Sequence, residues 1–99
     1  MNINQLMQQA QKLQQKTQQK LVEFEQKEFE FDYKQGSVVV RMRGDYKLTN
    51  ILVNDVLVDK DDKTTMQEMI AEAINAAIES ITQDRETIQQ SATGHNLPI

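Results

Sequence analysis

The 99-residue chain has no cysteine or tryptophan, one proline, three glycines and a single histidine. Without cysteine there can be no disulfide, no thiolate metal site and no cysteine nucleophile. Gly36, Gly44 and Gly94 are too few and too scattered to form a phosphate-cradling loop. His95 lies in Ser91–Ile99, a stretch that reads as a tail without regular structure, and no pattern places it beside a serine or a carboxylate. No apolar run approaches membrane-spanning length, and Met1–Gln9 lacks the basic start and apolar block of a secretory signal. Asp59, Asp61 and Asp62 lack the ligand alternation, central glycine and closing glutamate of a calcium loop. These absences argue against an enzyme, a resident metal or cofactor, and a small-molecule substrate. They leave a soluble, cytoplasmic binding or architectural protein of one domain (residues 1–99) as the expectation.

The longest stretch without an acidic residue opens the chain. The chain carries a net charge of −4, yet up to Val22 it has Lys12, Lys16 and Lys20 and no acid, so that segment is +3 and the rest is −7. From Asn2 to about Glu25, Ile3, Leu6, Met7, Ala10, Leu13, Thr17, Leu21 and Phe24 recur at threes and fours, the spacing of one helical face. No glycine or proline interrupts them, and glutamine, a good helix former, fills half of the other positions. At 100° per residue, Lys12, Lys16, Lys20 and, if the helix continues, Lys27 fall within about 80° of one another, away from that face. Such a basic ridge, with ammonium groups about 6 Å apart along the axis, can follow a run of phosphates. Solvation of an exposed helix face is the plainer use of the same lysines.

Two hairpins are expected next. Phe29, Phe31 and Tyr33 alternate with acids, and Val38, Val40 and Met42 alternate with Val39, Arg41 and Arg43, so each run has one apolar face. Gly36 and Gly44-Asp45 supply the reversals, and the third strand reads Tyr46 to Asn54. Period-two counting puts Leu48 and Leu52 on one face and Ile51 and Val53 on the other. A sheet apolar on both sides, with Val39, Leu48 and Leu52 facing away from the helices, invites a second copy of itself. The alternative is that Leu48 and Leu52 lie under the chain's own second helix.

Val56-Leu57-Val58 is expected to tuck beneath a helix. The second helix should open at Thr65-Met66-Gln67-Glu68 as a capping box and run to about Gln90 on an isoleucine- and alanine-rich stripe. Its outward Glu68, Glu72, Glu79 and Glu86 would repel phosphates, leaving the first helix as the face for any polyanion. Both helices outrun a small sheet, so they should pair beyond it as a two-helix arm.

The order helix, three strands, helix is joined by specific residues. They are Leu6-Met7-Gln8-Gln9-Ala10-Gln11, Gly36-Ser37-Val38-Val39-Val40 with Gly44, and Ala73-Ile74-Asn75-Ala76-Ala77. Together these resemble the YbaB/EbfC family of bacterial nucleoid-associated proteins over nearly the whole chain. The resemblance implies an α+β fold assembled as a tweezer-like homodimer, located in the cytoplasm at the nucleoid. It also implies DNA binding with low sequence selectivity, and it assigns Lys12, Lys16 and Lys20 to phosphate contact. The chain departs from the family at Glu79 and Ser80, where basic residues are usual, and at Asp55, where proline is usual. A helix-sheet-helix layout with projecting arms is also similar to prefoldin-type chaperone subunits, which makes a protein-interaction module the competing expectation.

Overall fold

The computed structural model describes residues 2–93, with the side chains of 91–93 excluded. In chain order it consists of α1 (Ile3–Gln26), β1 (Glu28–Tyr33), β2 (Val38–Arg43), β3 (Leu48–Val53), a short 3-10 turn (Asp55–Leu57) and α2 (Lys63–Thr93). The strands form one antiparallel sheet in the order β1-β2-β3. Asn2 starts α1 by accepting a hydrogen bond from the Asn4 amide at 3.0 Å, which satisfies one of the amides a helix start leaves unpaired. The helix ends where Lys27 turns to extended backbone.

Alternation decides the two sides of the sheet. Cross-strand partners share a face, and Phe29↔Met42, Phe31↔Val40 and Tyr33↔Val38 all face α2. Val38, Val40 and Met42 are buried there together with Ala73, Ala77 and Ile81, the two alanines letting the helix backbone lie close to the strands. The other side carries Glu28↔Arg43, Glu30↔Arg41 and Asp32↔Val39, with an Arg41–Glu30 ion pair at 3.4 Å.

Five expectations are corrected. Leu48 and Leu52 do not share a face, because a bulge shifts the register so that Met42 pairs with Leu48 while Arg41 pairs with Asn50. Leu48 therefore stands on the helix side at the sheet edge, whereas Leu52, opposite Val39, stands on the outer side. Val56 and Val58 do not tuck in. A 3-10 turn sends its three successive side chains in three different directions. Only Leu57 reaches the core, while Val56 is 87% exposed and Val58 is 63% exposed. The cap of α2 is Asp62 rather than Thr65, one turn ahead of the expected box. The Asp62 carboxylate accepts from the Thr65 amide at 3.3 Å and from the Thr65 hydroxyl at 2.7 Å.

The helix α2 also runs on to Thr93, so the first three residues of the expected tail are helical. Gly94, His95 and Pro98 lie outside the described residues. The third strand is shorter than expected. Tyr46 sits instead in the second hairpin at φ 71, and Lys34 and Gln35 join Gly36 at positive φ in the first.

Candidate nucleic-acid interface

The two helices meet at one end of the sheet. Glu72 of α2 accepts from the Tyr33 hydroxyl at 2.7 Å, at the far end of β1. Thirteen to sixteen residues later in the chain, Arg85 and Ile88 reach the near end of that strand. There Phe24 of α1 packs on Phe29 with ring centroids 5.0 Å apart, and Glu25 pairs with Arg85 at 3.6 Å. Helix α1 runs toward the sheet and α2 away from it, so they lie antiparallel as an arm. The protein measures 71 × 28 × 17 Å.

The junction is held by Gly44 and Tyr46 together with Arg85 and Thr82, two residues that sequence reading did not single out. Gly44 donates to the Lys27 carbonyl at 3.0 Å and accepts from the Arg85 guanidinium at 3.2 Å. Arg85 also stands 5.6 Å over the Tyr46 ring, and the Tyr46 hydroxyl shares a 2.8 Å hydrogen bond with Thr82. These contacts explain how an aromatic residue is kept in the left-handed region, which costs about 1–2 kcal/mol in isolation. The only local hint in the sequence is the three-residue spacing of Thr82 and Arg85, which gains its meaning once the hairpin is placed against α2.

Lys12, Lys16 and Lys20 are exposed on the arm, and none of them forms an ion pair among the described residues. Lys27 leaves the helical row, because it is the residue at which α1 ends. It rejoins Lys20 in space: both line a shallow groove of about 230 Å³ with Glu23, Phe24, Phe29 and Ile88. Glu23, also exposed, lies among the four lysines and lowers the local positive potential. On α2, Glu68, Glu72, Glu79 and Glu86 are exposed, and Asn75 is exposed too. Glu72 is engaged with Tyr33 and Lys34. Its carboxylate holds the Tyr33 phenol above its ordinary pKa, chiefly through the hydrogen bond it accepts. No group of three or more histidine, aspartate or glutamate side chains able to hold a metal ion occurs among the described residues. No helix there is long and apolar enough to cross a membrane.

An antiparallel sheet backed by α2, with a cationic helix projecting from one end, defines an α+β binding protein with a helical arm. The comparison with known proteins narrows this class. The model of the YbaB/EbfC DNA-binding family matches residues 1–96, and the chain belongs to that family. It is 46% identical to a nucleoid-associated protein of Malacoplasma penetrans over 93% of this chain and 97% of that one. A nucleoid-associated protein of Ureaplasma urealyticum is 36% identical over 92% of this chain and 91% of its own. The crystal structure of an uncharacterized protein from Helicobacter pylori superposes with a TM-score of 0.65 at 20% identity, covering 90% of this chain and 94% of that one. That last likeness concerns the fold.

Proposed function

We propose that this protein is a nucleoid-associated DNA-binding protein that acts as a homodimer and contacts phosphates, with little sequence selectivity, through Lys12, Lys16 and Lys20. Lys27 supports the same face from the end of the helix. The observation that carries the reading is the row of exposed lysines without acidic partners on a projecting helix, in a chain whose remaining charge is negative. Lysine ammonium groups on phosphate oxygens position a duplex without reading its base edges.

Dimer formation is assigned to the outer face of the sheet, where Leu52 is 53% exposed opposite Val39. Leu48, on the other side of the bulge, has no place at the centre of that seam. Two-fold pairing doubles the lysine row to six ammonium groups, for which log K should fall with log salt at a slope of about −5. A mobility-shift titration against salt measures it. Replacing Lys12, Lys16 and Lys20 together with glutamine should abolish binding equally on unrelated DNA sequences. A flat salt slope, or binding that survives the triple replacement, refutes the assignment. In parallel, Leu52→Glu should halve the mass in solution while Leu48→Glu leaves it unchanged.

A chaperone-like interaction module is the alternative. It is favoured by one observation: the apolar side chains in the first half of α1 are exposed, Ile3 by 72% and Met7 by 57%.

A further inference from the structure

The stripe on α1 serves two different fates. From Thr17 through Leu21 to Phe24 it is covered, Thr17 and Phe24 being buried. From Asn2 to Lys16 every residue is exposed, and Ile3, Leu6, Met7 and Leu13 leave between 42% and 72% of their surface open. The division follows from helix lengths. Arg85 meets Glu25, and α2 continues eight residues to Thr93. Those residues bring its end about 12 Å further along, level with Thr17. Beyond that point about 21 Å of α1 projects with the same apolar face and no described partner.

We propose that this projecting half of α1 is a self-association surface distinct from the sheet, pairing antiparallel with the same segment of a second copy. Continuity supports a helix as the occupant, since the identical face already takes α2 a few residues later. Charge selects which helix and in which direction. Residues 2–11 carry no charge at all, so a seam centred near Gln8 desolvates no ion. In the antiparallel arrangement Ile3 lies opposite the partner's Leu13 and Leu6 opposite the partner's Ala10. Each Lys12 then lies beside the partner's Asn4, about 12 Å along the axis from the partner's Lys12, beyond the Debye length of about 8 Å at physiological salt. A parallel pair would instead set lysine against lysine. The flanking glutamine amides, which both donate and accept, can bond across the seam in either copy.

Eleven residues of paired helix are marginal by themselves, so the contact is weak in dilute solution and grows with local concentration. A protomer with one two-fold seam at its sheet and another at its arm links copies into an open chain rather than a closed pair. The inference concerns protein contacts alone and stands apart from the DNA reading.

Because the chain lacks cysteine, single thiols report the seam directly. Leu6→Cys and Ala10→Cys full-length proteins, mixed in equal amounts under mild oxidation without DNA, should give mainly the mixed disulfide. It should form at least about tenfold faster than the disulfide of Gln8→Cys, on the opposite face, because paired thiols sit at raised effective concentration. Predominance of the two like-with-like disulfides overturns the antiparallel arrangement. Equal rates at positions 6, 8 and 10 overturn the surface altogether, as does finding that the stripe is protected within one copy or holds unfolded client protein instead. The paired variant Leu6→Gln with Leu13→Gln should lose the concentration-dependent rise in mass measured by sedimentation, yet keep the salt slope of DNA binding. Association retained in this variant overturns the surface whatever the slope, whereas a salt slope already flat in the parent counts against the phosphate reading only.

Discussion

Replacing Gly44 with alanine adds one methyl group where the structure has no room for it. A Cβ built on Gly44 lies 2.0 Å from the Phe24 carbonyl oxygen and 2.7 Å from both its carbonyl carbon and a ring carbon. Outside its own residue and chain neighbours, a Cβ essentially never comes within 3.0 Å of another heavy atom. The hairpin and the end of α1 must therefore separate by roughly an ångström. The nearest obstacle is backbone, which cannot rotate away as the tip of a side chain can. Overpacking of this kind costs about 1–3 kcal/mol. The separation also stretches the Gly44 amide bond to Lys27 and the Arg85 bond to the Gly44 carbonyl. Each of these bonds is worth about 1 kcal/mol. A total of about 3 kcal/mol or more should lower Tm by at least about 12 °C in a domain of this size. The measurement is thermal unfolding followed by far-ultraviolet circular dichroism at fixed protein concentration, since any self-association makes Tm depend on it. Gly36→Ala is the internal comparison, because its space is nearly open, with Asp32 Oδ1 at 4.0 Å, and its backbone stands at φ 83. The cost there comes from the left-handed conformation alone, about 1–2 kcal/mol. A Gly44→Ala protein that melts within about 4 °C of the parent, or above Gly36→Ala, would refute the close approach that fixes the arm to the sheet.

Other consequences can be checked on the same material. Ile81 is fully buried between α2 and the sheet. Its replacement by alanine should cost about 2–5 kcal/mol in urea unfolding. Valine at the same position should cost about 1 kcal/mol, and neither variant should change the m-value. Asp62→Ala should melt below the parent at neutral pH. The Thr65 hydroxyl and amide bonds hold the Asp62 carboxyl below its ordinary pKa. Its contribution is therefore present above that ordinary value and lost as pH falls through the depressed one. The gap in Tm between parent and variant should accordingly close in acid. Tyr33 behaves in the opposite sense, since its folded-state pKa is raised. Its contribution is present below the ordinary phenol value and lost as pH rises through the raised one. In Glu72→Gln the tyrosinate absorbance of Tyr33 should appear at lower pH than in the parent.

Local regularities along the chain are sufficient to define its elements. Period-two alternation from Phe29 to Met42 places the sheet and its helix-facing side, and the threes and fours of α1 place Lys12, Lys16 and Lys20 together, because both patterns depend only on neighbours a few positions apart. The resemblance carried by Ala73-Ile74-Asn75-Ala76-Ala77 and its companions points to the family that the match over residues 1–96 then shows. Tertiary structure decides what no local period encodes. The bulge beside Thr49 moves Leu48 to the opposite side from Leu52, since the Thr49 hydroxyl bonds to the Arg41 carbonyl only once β2 and β3 are in register. The need for glycine at position 44 arises from Phe24, twenty residues away, and the exposure of Ile3, Leu6 and Met7 arises from where α2 runs out beside α1. Such contacts join segments far apart in the chain, so their energies reward an arrangement that periodicity can neither require nor forbid.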